Sequence, residues 1–301
     1  MKVVFSFQKN NLVRPQKQNI AFGAGLTAKF AEEIINTDVA EISARLAKKG
    51  IPTDFKGNKV ITWCCDKAIN IFQQLNERYG THLTLPKGIY VEDFANLNIG
   101  SITKADFCNF TPTQLIKDSN EIVPSRTVFF NTFETANHQA TPETRWLYNW
   151  TQVNKIADFN QAIRQSGTDF FLDTFLHELS HVSHEDRLLV KLGGKALAQK
   201  IVSLQSSQQI AEYQRKYGKK ISQICDYALT DPLEAVACDM SRTIVRSLDK
   251  ETLMPIRNPF VNTPYEKLYF WQPKRINIPI YSDQDRPLQE ILRNFWNGKF
   301  D

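Results

Sequence analysis

The sequence predicts an α+β fold that is mostly helical and carries a small mixed sheet. The chain has 301 residues, of which 42% are hydrophobic and 23% are charged, as in an ordinary globular protein large enough to bury a sizeable core. Several long stretches repeat apolar residues at helical intervals, whereas only short stretches are rich in β-branched and aromatic residues. These observations favour helices as the main elements and short strands as the minor ones.

Composition also excludes several classes of protein. The 37 basic and 32 acidic residues are interspersed rather than grouped, so we expect no nucleic-acid partner. No stretch has the roughly 18 uncharged apolar residues of a membrane span. The first residues lack the apolar core of a secretory signal, which favours the cytoplasm but leaves unconventional secretion open. The five cysteines are irregularly spaced, so neither a disulfide framework nor a thiolate zinc site is expected.

The elements of the first half are predicted in order along the chain. Residues 1–58 form an N-terminal helical accessory segment whose second helix is Asp38–Lys49, because apolar residues recur there at helical spacing and Gly50 follows. Residues 59–79 form a long helix, since their apolar residues share one broad face. A short strand is expected within Leu83–Phe94, and Arg126–Thr132 is predicted as a strand. One or two short helices are expected in residues 141–165.

The second half is predicted to be helical. A strongly apolar helix starts at the cap Thr168 and runs to about His184, and a further helix spans Ala196–Tyr217. Asp231-Pro232 opens a helix that continues to about Leu248, with Asp as the N-cap and Pro at the first helical position. An amphipathic helix closes the chain at Pro287–Trp296. We place the main domain at 59–250 and a C-terminal extension that packs on it at 251–301.

The most informative motif is His177-Glu178-Leu179-Ser180-His181, an HExxH pattern on a predicted helix. Residues four apart lie on the same helix face, about 6 Å apart along the axis, so two imidazoles can converge on one zinc ion. Glu178 is positioned to reach a water on that ion and accept its proton. Without a metal, two His and a Glu on so apolar a helix are costly to bury.

A third ligand must come from another element. His184 lies seven residues after His177, about 10.5 Å along the helix, which is too far for the same ion. Glu234 is the best candidate, 53 residues after His181. It has an equally good structural interpretation, because with Asp231 as N-cap it occupies the third position of a capping box.

The segment Tyr227-Ala-Leu-Thr-Asp-Pro-Leu-Glu234-Ala-Val-Ala-Cys-Asp239, together with HExxH, resembles gluzincin metallopeptidases, and most closely the group of anthrax lethal factor and the Pro–Pro endopeptidases. The resemblance implies a zincin-like domain, one Zn²⁺ ion and Glu234 as the third ligand beside His177 and His181. It also implies that Tyr227, seven residues before Glu234, stabilises the oxyanion or helps to protonate the leaving amine. The match covers two short motifs and the order of the elements within about 59–245.

The sequence departs from this family at one position. The family usually carries an acid four residues after the ligand Glu, and that position here is Cys238. An acid there orients a metal-bound imidazole. Asp239 and Asp173 are candidates to take over that role.

Two further features have open alternatives. The strand Arg126–Thr132 is either an edge strand, which would pair with an extended peptide through residues such as Arg126, Val128 and Phe130, or an ordinary inner strand. His184 either lines the cleft or, as we favour, is a surface histidine near the end of its helix.

Together these features predict a zinc-dependent endopeptidase acting on a peptide or protein substrate. Glu178 is then the general base and Tyr227 the donor to the oxyanion. The alternatives are a zinc-binding module without proteolytic activity, which the Cys238 departure suggests, and a metal-free helical protein in which Glu234 only caps its helix. The motifs do not indicate the substrate or the oligomeric state.

Overall fold

The computed structural model describes the segments 30, 32–92, 108–111, 115–116, 122–123, 126–131, 170–225, 227–249, 251–261, 263–265 and 286–300. These residues fall into two compact units. The first unit takes the described residues up to Asp66 and those within Pro86–Leu172, and the second takes Lys67–Leu85 and those from Asp173 onward. The domain boundaries near residues 58 and 250 stay predictions.

The first unit contains the sheet. Its strands are β1 (Thr53–Asp54), β2 (Gly88–Glu92), β3 (Cys108–Thr111) and β6 (Thr127–Asn131), in the spatial order β1-β2-β6-β3. The first three strands in that order are parallel, and β3 pairs antiparallel with β6. Two further short strands, β4 (Leu115–Ile116) and β5 (Ile122–Val123), form a separate antiparallel pair. The predicted small mixed sheet is therefore confirmed.

Strand β6 is an inner strand. Val128 is paired with Ile89 of β2 on one side and with Phe110 of β3 on the other. Val128, Phe129 and Phe130 are all buried, as expected for a strand that is covered on both faces. Of the two alternatives, the structure has the inner strand, so Thr127–Phe130 offers no free edge to a peptide. The substrate-strand role expected for Arg126, Val128 and Phe130 was based on the edge position and is corrected here.

Helices α1 and α2 begin in the first unit. Helix α1 (Val39–Lys48) starts at Asp38, whose side chain accepts a hydrogen bond from the backbone N–H of Glu41. Helix α2 (Lys59–Tyr79) matches the predicted range, and its Trp63 indole donates to Glu33. Its later turns belong to the second unit, where Asn76 holds the chain at Leu83 through two hydrogen bonds.

The named elements of the second unit are all helices. It contains most of α3 (Phe170–Leu192), followed by the four helices and the one-turn 3₁₀ helix that come after it. These are α4 (Gly194–Leu204), α5 (Ser207–Ile221), the 3₁₀ helix (Tyr227–Leu229), α6 (Pro232–Val245) and α7 (Arg286–Trp296). All but two residues of α6 are buried, so this helix lies at the centre of the unit. No helix among the described residues is long and apolar enough to cross a membrane.

The structure also corrects some predicted bounds. Helix α3 continues eight residues beyond His184 to Leu192, and Gly193 ends it with a positive φ of 78°. The single helix predicted for Ala196–Tyr217 is two helices, because Ser206 caps a new one by accepting from the N–H of Gln209. The cap at Thr168 and the helices expected in 141–165 lie outside the described residues.

Candidate metal centre

The HExxH motif lies in the middle of α3, within the second unit. His177, Glu178 and His181 follow a buried turn formed by Leu172, Phe175 and Leu176. His181 is 7% exposed, and the side chains of His177 and Glu178 are half-buried. The helical spacing therefore presents both imidazoles to the same neighbour, as the sequence predicted.

The first turn of α6 brings Glu234 to these imidazoles. Asp231 caps the helix by accepting hydrogen bonds from the N–H groups of Leu233 and Glu234, at 2.7 and 3.0 Å. The Glu234 carboxylate points at the histidines, with Oε2 at 2.9 Å from His177 Nε2 and 3.2 Å from His181 Nε2. Two roles were considered for Glu234, as part of the helix cap or as a partner of the two histidines. The side-chain cap is supplied by Asp231, and the Glu234 side chain contacts the histidines.

Three donor atoms converge on one point. His177 Nε2 and His181 Nε2 are 3.0 Å apart, and each lies within 3.2 Å of Glu234 Oε2. Among the described residues, His177, His181 and Glu234 form a group that could hold a metal ion. A circle through three atoms so spaced has a radius of about 1.8 Å, which is shorter than the roughly 2.0–2.2 Å of a zinc bond to nitrogen or oxygen. An ion just above their plane can therefore reach all three at normal bond lengths.

The donor set limits which ion fits. Two imidazole nitrogens and one carboxylate oxygen suit zinc or another divalent transition metal, whereas calcium prefers six to eight oxygens. Three lone-pair donors that face one another repel unless a cation or a proton lies between them. The cluster is thus built for a cation, and its chemistry leaves the identity of the metal open.

The histidines and carboxylates of this cluster strongly shift one another's pKa. Burial lowers the pKa of His181, but the carboxylates of Glu234, Glu178 and Glu185 outweigh that effect and raise the pKa to about 10. Burial raises the pKa of Glu234, yet His181 and His177 hold the pKa of this carboxyl well below its usual value. Glu234 is therefore ionised, which is the form that binds a metal.

Tyr227 lies beside this cluster. Its ring centroid is 5.8 Å from that of His177, and half of its surface is exposed. The negative charge of Glu234, then burial and the charge of Glu178, raise the pKa of Tyr227 well above its usual value, so the phenol keeps its proton. Helix α5 holds the turn, because Tyr213 donates to the carbonyl of Ala228 at 2.6 Å and Gln214 to that of Leu229 at 3.0 Å.

Glu185 is a site residue that the sequence reasoning missed. It is buried one helical turn after His181, and its Oε1 lies 4.0 Å from His181 Nδ1. Within the part of the chain that the structure describes, neither that Nδ1 nor Glu185 Oε2 has a hydrogen-bond partner. Burial raises the pKa of Glu185 to about 8, although His181 opposes the rise. The sequence does contain a signal for this residue. Glu185 lies four residues after His181, just as His181 lies four residues after His177, so all three share one helix face.

The two acids proposed for orienting the ligands have different surroundings. Asp173 lies one turn before His177; burial raises its pKa, and the charge of His177 partly opposes the rise. Asp239 accepts a hydrogen bond of 2.8 Å from the Tyr265 hydroxyl. Asp173 is therefore electrostatically coupled to a ligand histidine, whereas Asp239 anchors Tyr265.

The favoured interpretation of His184 is wrong. The side chain of His184 is fully buried under α7. Its ring stacks on that of Trp296, with the two ring centroids 5.1 Å apart, and its Nε2 lies 3.1 Å from the carbonyl oxygen of Phe295. That carbonyl can only accept, so Nε2 carries the proton. Burial lowers the pKa of His184 to about 3, which keeps the ring neutral. Neither a surface position nor a cleft position is found, because α3 continues past His184 and α7 covers it.

Comparison of the chain with protein-family models, with curated proteins and with solved structures found no match.

Proposed function

We propose that this protein is a zinc-dependent endopeptidase of the gluzincin type, with a zincin-like domain at residues 59–250. The observation that carries the proposal is the convergence of His177 Nε2, His181 Nε2 and Glu234 Oε2 within 3.2 Å of one another. Two imidazoles from HExxH and one carboxylate from a following helix form the ligand set of zinc peptidases that keep a coordination position open. The sequence resemblance around Tyr227 and Glu234 supports the same assignment.

A zinc ion held by these three side chains supplies a Lewis acid and lowers the pKa of a bound water towards about 7. Glu178 directly follows the first ligand on α3, and its charge acts on both His181 and Tyr227. Its role is to take a proton from the attacking water and to deliver it to the leaving nitrogen.

Tyr227 takes the second role at the reacting carbonyl. Its phenol stays protonated, because the nearby negative charges of Glu234 and Glu178 raise its pKa. A protonated hydroxyl beside the ligands is a hydrogen-bond donor for the oxyanion that forms on the peptide carbonyl. Half of the Tyr227 surface is exposed, so a substrate can reach it.

Metal analysis and peptide cleavage test the proposal together. We expect the purified full chain to hold close to one equivalent of zinc and to cut members of a mixed peptide library. Glu234→Ala should lose most of the zinc, since it removes one of three donors. Glu178→Gln should keep the zinc and lose about 10²–10⁴-fold in the rate of hydrolysis, because general base catalysis is removed without a ligand. Metal-free wild-type protein, prepared without chelators, would overturn the assignment.

The second candidate is a zinc-binding module without proteolytic activity. Cys238 favours it, because a buried thiol stands where the family usually has a carboxylate. The same experiment distinguishes the two, since this module binds zinc through Glu234 and leaves the whole library uncut. A stoichiometric content of iron in place of zinc would point to the redox chemistry that a His-His-carboxylate set also supports.

A further inference from the structure

The interspersed charge of the chain has one exception, which begins near the end of α3. Between residues 187 and 222 the sequence has eight basic residues and one acidic residue, Glu212, which gives a formal charge of +7. The whole chain carries only +5. The stretch covers the last turns of α3 and all of α4 and α5. Positive charge is therefore concentrated on three consecutive helices of the second unit.

The segment that follows α7 brings several of these cations together. Asn297 Oδ1 accepts hydrogen bonds from the Arg187 guanidinium at 2.9 Å and from the Lys191 ammonium at 3.1 Å. The Lys200 ammonium of α4 lies 5.5 Å from the centre of the Phe300 ring. Two cations thus share one neutral amide oxygen and a third lies over a ring of the same segment, so charge from α3 and α4 converges here.

Helix α5 reaches the same place through a row of aromatic rings. Phe300 stacks on Phe295, with ring centroids 6.0 Å apart, and Phe295 meets Tyr217 edge to face at 5.2 Å. The Lys216 ammonium lies 5.0 Å from the centre of the Tyr217 ring. Lys219 is exposed one helical turn further on. The cations of α5 therefore border the same segment as those of α3 and α4.

Exposed aliphatic side chains lie among these cations. Val190, one turn after Arg187, is 82% exposed, and Leu192 is 39% exposed. Leu192 also borders the segment after α7, because a side-chain carbon built at Gly298 would lie 3.9 Å from its Cδ1. We call the whole region the basic surface. Its residues are Arg187, Val190, Lys191, Leu192, Lys200, Lys216, Lys219 and Lys299.

The aliphatic side chains favour one kind of partner. Positive charge alone would suit nucleic acids and anionic lipids equally. Nucleic acids add affinity through stacking on exposed aromatic rings, whereas the exposed large hydrophobic residues of the basic surface are a valine and a leucine. A surface that combines lysines with exposed aliphatic groups matches a bilayer, which offers anionic headgroups above an apolar layer.

We propose that the basic surface docks on the anionic headgroups of a lipid bilayer, with Val190 and Leu192 entering the interface. The lysine ammonium groups contact lipid phosphate and carboxylate oxygens, and the two aliphatic side chains leave water for the region below the headgroups. The association is peripheral. It does not rest on metal binding or on peptide hydrolysis, because none of these residues belongs to the His177, His181 and Glu234 group.

Vesicle flotation of the full chain tests the proposal. We expect binding to vesicles of phosphatidylcholine mixed with phosphatidylserine and little binding to phosphatidylcholine alone. Salt at about 1 M, where the Debye length is about 3 Å, should release most of the bound protein. Equal binding to both kinds of vesicle, or binding to neither, would overturn the proposal.

Charge reversal locates the binding surface. The test variant reverses three exposed lysines of the basic surface, Lys216→Glu, Lys219→Glu and Lys299→Glu. The matched control has the same change in net charge at three exposed cations outside it, Lys48→Glu, Lys87→Glu and Arg246→Glu. At about fivefold for each lysine, the test variant should lose about 100-fold in vesicle affinity, while the control binds like the wild type. Equal losses in the two variants would mean that net charge, and not this surface, drives binding.

A neutral version guards against misfolding. The same three lysines changed to glutamine should lose affinity to a smaller extent and keep the circular dichroism spectrum and Tm of the wild type. A folded glutamine variant that binds as tightly as the wild type would contradict the proposal.

The aliphatic contribution separates a bilayer from a nucleic acid. Val190→Ser should weaken vesicle binding by about 5–10-fold, because the apolar surface of one valine is no longer transferred out of water. Ile256→Ser is the matched control, since Ile256 is 64% exposed and lies outside the basic surface. It should bind as the wild type does. If duplex DNA or single-stranded RNA binds more tightly than the vesicles, and this binding is lost on lysine reversal but not in Val190→Ser, the surface recognises nucleic acid and the proposal is wrong. The readout is partition onto lipid, so it does not depend on whether the protein binds zinc or cuts peptides.

Discussion

At the scale of single residues, Glu185 is the group best placed to set the strength of the metal site from outside the ligands. A histidine that binds a metal through Nε2 carries its proton on Nδ1, and a carboxylate that accepts this proton strengthens the ligand. The Nδ1 of His181 is buried, and Glu185 Oε1 lies 4.0 Å from it.

We therefore expect Glu185→Ala to weaken zinc binding by about 10–100-fold. Glu185→Gln, which keeps an acceptor oxygen but no charge, should have a smaller effect. Competition with a chromogenic chelator measures the affinity. Glu212→Ala, on the exposed side of α5, is the matched control. An unchanged affinity in Glu185→Ala would show that His181 is positioned by packing alone.

His184 makes a prediction about pH. Its pKa is lowered to about 3 by burial, whereas an unfolded histidine titrates near 6.5. Below about pH 6.5 the unfolded chain therefore binds a proton that the folded chain does not, so the His184 contribution to stability is complete above that pH and is lost as the pH falls towards 3. His181 and Arg187 are the charged groups that disfavour a cation there.

His184→Gln should remove this contribution, because an amide can still donate to the Phe295 carbonyl but does not titrate. Urea unfolding at pH 7 and pH 5 measures the effect. The wild-type protein should lose more stability between these two values than the variant does. Glu185 titrates in the same range, and because its pKa is raised, it stabilises the folded chain as the pH falls. The quantity to compare is therefore the difference between the stability lost by the wild-type protein and that lost by His184→Gln. Equal losses would mean that His184 is protonated in the folded state.

The same residues show how far sequence reasoning reaches. His177 and His181 were predicted because their relation lies within one helix, where spacing fixes direction. Glu234 could not be assigned by spacing alone, since a cap and a ligand need the same residue in the same turn, and only the three-dimensional position of Asp231 and the histidines separates them.

At the scale of elements, the N-cap of α6 positions Glu234, the candidate third ligand. Asp231 accepts from the N–H of Leu233 and of Glu234 itself, so it fixes the first turn that carries the Glu234 carboxylate. Replacement of such a cap by alanine costs about 1 kcal/mol of stability. In Asp231→Ala we expect that loss together with weaker zinc binding, whereas Asp231→Asn should retain most of both.

A second cap provides the control for that prediction. Ser206 caps α5 by accepting from the N–H of Gln209, and no metal-binding residue lies in that turn. Ser206→Ala should lower the free energy of unfolding by a similar or smaller amount and leave zinc affinity unchanged. Calorimetry and chelator competition on the two variants separate a local effect on Glu234 from a general loss of stability.

Elements were predictable where a stop signal was strong. Helix α2 has its predicted range, since apolar periodicity runs up to Gly80. The break between α4 and α5 was missed because Ser206 carries the cap without a Gly or Pro beside it. The inner position of β6 could not be decided from the sequence, because the strand that covers its second edge, β3, is only four residues long and gives too short a pattern to be recognised.

At the scale of the whole molecule, the α+β class followed from helical periodicity and a few short strands, while the division into two units did not. Two of the three boundaries between the units fall after Asp66 and Leu172, inside α2 and α3, where no composition shift marks them, and the third falls between Leu85 and Pro86. His177, His181 and Glu234 all belong to the second unit. A metal ion held by these three side chains would therefore stabilise that unit.

Metal removal tests this coupling. A ligand that binds only the folded state stabilises it by about 2.7 kcal/mol at 100 times its Kd, which corresponds to a rise in Tm of about 5–10 °C for a unit of this size. We expect EDTA to lower the Tm of the wild-type protein by that amount and added zinc to restore it. Glu234→Ala should show little shift in either direction, whereas Glu178→Gln, which keeps all three donors, should behave like the wild type. A full EDTA shift in Glu234→Ala would mean that the stabilising metal is bound elsewhere in the chain.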